Sequence, residues 1–331
     1  MNWKLIGLAG LATVAGAMGA VACGGDDEGD GLTDVTLMLD WTPNTNHAGI
    51  YIAKANGWYE EQGINLKIVE PAQGGVEQIV AADRAEFGIS IQEAVIPARA
   101  ADIPIVSVGA IIQHNLSGLM SLESEGIVRP RDLEGKTYGG FGGALETALI
   151  KQLVQCDGGD ADRVRFVEVG NIDYLVGMEQ GQFDFVWIFE GWDGVRAREV
   201  EKKSISTLQF KDYLNCIPDW YTPVIITSEK VIKEKPDVVR KFMAATAKGY
   251  EVANTDAAAS AKALLEAAPE LDEALLNAAA AFHVGQYVDS GRKWGTQDEP
   301  IWTAFAAFLK SAGLIEKDID VKAAYTNEFL P

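Results

Sequence analysis

Histidine and cysteine are scarce here, at three residues each in 331, and positive charge is thinly spread. Lys and Arg total 28 against 48 Asp and Glu, a net charge of −20. No basic run is long enough to track phosphates, which excludes nucleic acid and anionic membrane surfaces as partners. His47, His114 and His283 stand far apart and no Cys/His cluster has zinc spacing, so no metal site is expected. Nothing reads as a catalytic set: there is no activated Ser or Cys and no defensible acid pair. A nucleotide-binding loop is missing, as are membrane spans beyond the first residues, and no cofactor is expected. What the chain does have is apolar residues, at 48%, with only 23% charged. That is ample for a large core and implies two domains of ordinary size.

Residues 1–23 read as an export signal. One charge in residues 1–4 precedes an apolar stretch over 5–22, and Ala20-Val21-Ala22 leads into Cys23. The pattern is similar to a bacterial lipobox, which implies cleavage before Cys23 and lipidation of that residue. A plain secretory peptide is the alternative; for a membrane span the stretch is short and rich in Gly and Ala. Residues 24–33, GGDDEGDGLT, are glycine and acid with little to bury, and read as a flexible tether. Export makes Cys156 and Cys216 candidates for a disulfide, the remaining pair once Cys23 is lipidated. Two buried free thiols are the alternative.

The body of the chain alternates strands and helices. Strands are expected at 35–39, 64–70, 87–91 and 104–112, with helices from about 47, at 75–85 and at 94–101. A second series follows: strands at 137–141, 164–169, 183–189 and 206–210, helices at 144–155, 172–180 and 193–201. Residues 117–122 and 221–227 are extended. From 229 onward the chain is helical, over 229–253, 256–268, 270–284 and 298–313, with Pro236 and Pro269 at helix starts. Such alternation gives mostly parallel sheets covered on both faces, an α/β class. The helical tail cannot bury its apolar faces alone and should return to the first half. The expected architecture is two lobes, 34–116 plus 226–331 and 117–225, each a mixed sheet with helices on both faces, joined by two hinge crossings. A cleft between lobes is a preferred place for a small ligand, and closure over it is the expected motion.

The candidate site residues lie at carboxyl ends of strands, where open α/β sheets bind ligands. Trp41, Asn44 and Asn46 follow the first strand and offer a stacking face and amides; the alternative is a core Trp and turn-forming Asn residues. Gln92 and Glu93 end the third strand. Gly140, Phe141 and Gly142, within GGFGG, let backbone N–H groups approach a ligand, with Phe141 as a platform for a flat ring. Trp187, Glu190 and Trp192 place a carboxylate among aromatics, costly unless paired, for instance with a ligand amidine or N–H pair. Asp173 and Tyr174 occupy a similar loop, and Tyr221 sits at the second crossing, within Asp219-Trp220-Tyr221-Thr222. Flat aromatics, amides and an acid without clustered cations suit a neutral or weakly basic planar heterocycle.

The segments LMLDWTPNTNHAGIYIAKANGWYEEQGI, GGVEQIVAADRAEFGIS, AIIQHNLSG, LEGKTYGGFGGALE, DFVWIFEGWDG, YTPVIITSEK, WGTQDEPIW and YTNEFLP resemble the substrate-binding proteins of ABC importers for the thiamine pyrimidine precursor. The likeness covers about residues 34–331. It implies a type II periplasmic-binding fold, capture of formylaminopyrimidine or hydroxymethylpyrimidine, and Trp41, Asn44, Tyr221 and Glu190 around the ring. It also implies a lipid-anchored monomer on the extracytoplasmic face, serving an ABC permease and its ATPase subunit. A riboflavin-binding branch is similar in sequence, and the motifs leave both ligands open. Phe141 stands where Trp is more usual, and Ala94 where an acid often follows Gln-Glu. Two rivals are a pyrimidine-precursor synthase enzyme of the same fold and a binder of sulfonate or nitrate. The synthase group's Cys-rich iron motif and a lysine suited to pyridoxal phosphate are absent from this sequence.

Overall fold

A computed structural model describes residues 31–71 and 75–331. The export signal, Cys23 and residues 24–30 of the tether lie outside the described residues. Among the described residues ten strands form two five-stranded sheets. The first takes β1 (Thr33–Met38), β2 (Ile64–Val69), β3 (Phe87–Ser90) and β4 (Ile105–Ala110). The second takes β5 (Ser117–Leu122), β6 (Thr137–Gly140), β7 (Arg165–Glu168), β8 (Phe185–Phe189) and β9 (Ile205–Gln209). The chain then returns, and β10 (Val224–Ser228) completes the first sheet. The spatial orders are β2-β1-β3-β10-β4 and β7-β6-β8-β5-β9.

Both sheets are mixed. β1 is parallel to β2 and β3, while β10 inserts antiparallel between β3 and β4. β5 is likewise antiparallel to β8 and β9. β10 (VIITS), inside its sheet, and β4 (IVSVGA), at its edge, are both buried along their whole length, which is why they read as continuous apolar or small runs rather than alternating ones. Among the described residues no helix is long and apolar enough to cross a membrane.

The long C-terminal helix Pro236–Ala253 packs on the first sheet and on helix Ala48–Ala55. Phe242 stacks on Phe87 at 3.9 Å between ring centroids. The two helices meet at Gly49 and Gly249, where a Cβ on Gly249 would lie 1.9 Å from the Gly49 carbonyl oxygen. Only glycine permits that approach, and it brings Tyr250 up to the turn that precedes helix Ala48–Ala55. The Tyr250 hydroxyl donates to the Asn46 carbonyl at 2.6 Å, and Tyr287 donates to that of Thr45 at 2.7 Å. The loop after β1 is thus pinned by the tail of the chain.

Several elements begin elsewhere than the sequence pattern implies. The helix expected over 193–201 starts directly at the end of β8, with π-helical turns over Glu190–Gly194 and Arg196–Val200. Its outer side packs Val195 against Leu275 and Ala279 of helix Glu273–His283. A Cβ on Gly191 would fall 2.2 Å from the ring of His283. The helix after β3 starts at Gln92, not at Ala94. Pro236 opens its helix, but Pro269 does not: Asp272 caps the next one by accepting from Leu275 N at 2.7 Å. Cys156 and Cys216 are joined in a disulfide, tying the end of helix Ala144–Cys156 to the segment after β9.

Candidate ligand-binding site

Between the two sheets lies a cavity of about 640 Å³. The carboxyl ends of β1, β3, β6 and β8 open onto it, so each strand delivers its last side chains and the following turn to one place. Of the candidates read from the sequence, Trp41, Asn44, Asn46, Gly140, Phe141, Trp187 and Trp192 line it. So does Tyr174, at the start of helix Tyr174–Glu179. Trp41, Phe141 and Phe189 are the three large aromatics that the described residues leave exposed, and all three face this space. Trp41 is 49% exposed and Phe141 53%. Rings of that size left wet in an otherwise well-buried protein mark a surface made for contact.

The loop carrying Trp41 is held from within. His47 is fully buried, accepts from Asn44 N at 3.3 Å through Nδ1, and so carries its proton on Nε2, 2.8 Å from Asp40. The Asn44 amide donates to the Thr42 carbonyl and accepts from Asn46 N, both at 2.9 Å. Asn44 therefore shapes the wall with its own polar groups already engaged. Across the cavity, Trp187 stands edge-on to Phe210 at 4.7 Å, which fixes the indole plane.

The glycine loop differs from its expected use. Its N–H groups do point inward from the start of helix Ala144–Cys156, but the chain supplies their acceptor. Glu146 accepts from Gly143 N at 2.9 Å and Phe141 N at 3.2 Å, and from the Tyr138 hydroxyl at 2.9 Å. A carboxylate here satisfies the free donors and the positive end of the helix together.

Glu146 is one of five acids on the cavity wall, with Asp40, Glu77, Glu93 and Asp193; the one guanidinium is Arg196. Arg196 is clamped by Asp173 and Glu201, each at 2.6 Å. Glu77 accepts from the Ser90 hydroxyl. Glu93 is different: its Oε2 is shut off from solvent, and the side-chain donor turned toward its carboxyl is the Trp220 indole. Burial pushes its carboxyl from 4.5 up to about 7. Burial likewise lifts Asp193 to about 6, against the pull of the Phe189 N–H, 3.2 Å away, and of Arg196.

Gln92, Gly142, Glu190 and Tyr221 do not line the cavity. Gln92 and Tyr221 are both fully buried and bond to each other: Tyr221 N donates to Gln92 Oε1 at 2.8 Å and Gln92 N to the Tyr221 carbonyl at 3.0 Å. The Tyr221 hydroxyl accepts from Asp298 N at 2.9 Å. Gly142 takes a positive φ of 78° and backs onto Glu168. Glu190 is buried in the first turn of its helix, paired with Arg198 and covered by Gly194. Trp192 and Asp193 of the same helix, with Arg196 one turn further on, look into the cavity instead. Glu93 and Asp193, two of the acids that do reach it, each stand within three residues of one proposed from sequence.

Residues 44–259 match the model of the NMT1/THI5-like family. The chain belongs to that family. Among relatives, it is 28% identical to the formylaminopyrimidine-binding protein of Halalkalibacterium halodurans over 91% of this chain and 92% of that protein. It is 27% identical to the riboflavin-binding protein RibY of Chloroflexus aurantiacus, covering 91% and 87%. It is 24% identical to a 4-amino-5-hydroxymethyl-2-methylpyrimidine phosphate synthase of Legionella pneumophila, covering 90% and 92%. Family members therefore include both binding proteins and proteins named as synthases. The periplasmic aliphatic sulphonate binding protein SsuA of Escherichia coli superposes with a TM-score of 0.68 at 14% identity, over 88% of this chain and 91% of that one. The alkanesulfonate-binding SsuA of Xanthomonas axonopodis pv. citri gives 0.65 at 15% identity, over 88% and 98%. This is the periplasmic-binding fold, with two mixed sheets and helices on their faces.

Proposed function

We propose that this protein is an extracytoplasmic, lipid-anchored substrate-binding protein that captures a planar pyrimidine-type thiamine precursor and hands it to an ABC permease. One observation carries the reading: an aromatic-rimmed cavity whose wall holds five carboxylates and a single, already paired guanidinium. Such a wall disfavours anions and favours a ring whose edge presents N–H donors or a basic nitrogen. Trp41 and Phe141 supply ring faces. Glu93 and Asp193, both on the wall, supply acceptors for an amino-pyrimidine edge, where a carboxyl and an amidine-like edge form two parallel hydrogen bonds. The ligand enters between the sheets, and closure follows because the closed form offers it contacts from both halves at once. The closed form is what the permease reads. Lipidation at Cys23 keeps the protein near that permease, and the chain works as a monomer.

A flavin is the second reading, and the cavity volume favours it. About 640 Å³ is roomy for a single pyrimidine ring, and riboflavin carries a pyrimidine-like edge on a larger flat system. An enzyme is the third. Among the described residues the wall offers no lysine amine, thiol or imidazole as nucleophile or base, which supports capture over synthesis. Thermal-shift and calorimetric titration of the purified protein with formylaminopyrimidine, hydroxymethylpyrimidine, thiamine and riboflavin tests the set. The pyrimidine reading expects the first two to raise Tm most, in line with occupancy. Riboflavin alone raising it selects the flavin reading, and turnover of a bound compound, or no response to any of the four, removes the proposal.

A further inference from the structure

One place on the cavity wall where backbone donors converge for an anion is already filled by the protein. At the start of helix Ala144–Cys156, the N–H groups of Phe141 and Gly143 converge on a point beside the Tyr138 hydroxyl. Three donors at the positive end of a helix of this length would hold a phosphate or sulfonate well. They hold the carboxylate of Glu146 instead, which itself lines the cavity. Among the described residues no wall side chain takes over the task. Arg196 is spent on Asp173 and Glu201, and the remaining charged groups on the wall are acids.

We infer that Glu146 is the specificity residue that makes this site refuse phosphorylated and sulfonated forms of its heterocycle, by occupying the donors an anionic tail would need and by repelling that tail. The inference rests on the capture reading above and deepens it: the ligand class is the free, unphosphorylated heterocycle. A phosphate ester in the cavity would meet the Glu146 carboxylate where it needs N–H groups. A purely structural role, capping the helix, would show itself in stability alone and would leave ligand charge irrelevant.

The experiment uses calorimetric titration of the whole mature protein, its Glu146→Gln variant and its Glu146→Ala variant. Probes are hydroxymethylpyrimidine and its phosphate, riboflavin and flavin mononucleotide, and phenyl phosphate alone. Gln keeps an acceptor for the N–H groups and Tyr138 while removing the charge; Ala also uncovers the donors. The wild type is expected to bind the free member of a pair at least 30-fold more tightly than its phosphate. That ratio should fall at least tenfold in both variants, with phosphate binding gained, and phenyl phosphate should bind Glu146→Ala but not the wild type. The phenyl phosphate arm needs no heterocycle, so wild-type silence toward all four heterocycles sinks the capture reading while the anion test still reports on Glu146. If Glu146→Ala does not fold, Glu146→Gln decides through its ratio. Equal binding of free and phosphorylated forms by the wild type overturns the inference. So does an unchanged ratio in folded variants that also ignore phenyl phosphate.

Discussion

Glu93 bears a carboxyl oxygen shut off from solvent, with the Trp220 indole beside it, in a wall that already carries four other acids. That arrangement destabilises the empty protein, and the sign follows from its titration. Its folded value, about 7, lies above the ordinary 4.5. The folded state therefore holds the proton more tightly, and stability is lost as pH rises from the ordinary value through about 7. Glu93→Gln removes the ionisable group. The empty variant should melt higher than wild type at pH 8, by roughly 2 °C or more, with the gap closing at pH 5. Its affinity for the ligand should fall at least tenfold, the cost of a charged hydrogen-bond acceptor, on the order of 1.5–3 kcal/mol. Scanning calorimetry at the two pH values with titration at pH 7 checks both halves. Trp41 makes the opposite case. Half exposed and packed on little, it contributes little to folding. Trp41→Ala should leave Tm within about 1 °C, since surface changes of this kind rarely exceed 0.5 kcal/mol. It should weaken ligand binding by about 1–3 kcal/mol through lost stacking and burial. A ligand whose affinity ignores Trp41 does not stack there.

At the scale of elements, the strand ends were legible in the sequence and the directions of the side chains beyond them were not. Apolar runs followed by polar or glycine-rich turns located β1, β3, β6 and β8, and hence the mouth of the cavity, because strand periodicity and breakers are local properties. Trp41, Phe141 and Trp187 follow from that alone. Glu190 does not, because its fate depends on where a helix starts. An immediate helical start after β8 buries Glu190 and turns Asp193 outward, and nothing local distinguishes it from a short loop followed by a helix. Gln92 and Glu93 trade places for the same reason: the helix begins at Gln92, which turns back to Tyr221 and leaves Glu93 facing the cavity. The Glu190–Gly194 turn also bridges the two sheets' territories, since Gly191 lies flat against His283 of helix Glu273–His283. A methyl group on Gly191 has no room, with the ring 2.2 Å from the added carbon and His283 itself held by the Ala279 carbonyl at 2.8 Å. Gly191→Ala should cost about 1–3 kcal/mol from overpacking and displace Asp193 and Trp192, reducing ligand affinity together with Tm. Normal affinity in a variant that melts several degrees lower would separate this contact from the site.

For the molecule as a whole, the decisive geometry is that two sheets are joined by two passages of chain, and one side chain ties both passages together. His114 lies in the first passage, between β4 and β5, and its Nδ1 is 2.7 Å from Asp219 in the second, between β9 and β10. Its Nε2 is 3.1 Å from Asp289, beyond helix Glu273–His283. Asp219 also accepts from Asn115 N and Trp220 N, at 3.2 and 2.9 Å, so it is anchored on both sides. Flanked by two carboxylates, His114 is raised above its ordinary 6.5, first through its hydrogen bond to Asp219 and also through the charges of Asp219 and Asp289. The imidazolium thus favours the folded state: its contribution is whole below 6.5 and disappears as pH rises through the raised value. His114 is about half exposed, so the effect is small, no more than about 1 kcal/mol. Because it acts on the two passages that join the sheets, its loss should also loosen them. His114→Gln should melt about 2 °C below wild type at pH 6 and coincide with it at pH 9. Hydrogen-exchange protection at residues 111–116 and 218–223, relative to the intrinsic rate at each pH, should fall in the wild type over the same interval and stay flat in the variant. A melting difference that persists unchanged at pH 9 would mean the charge contributes nothing and the ring acts by shape alone.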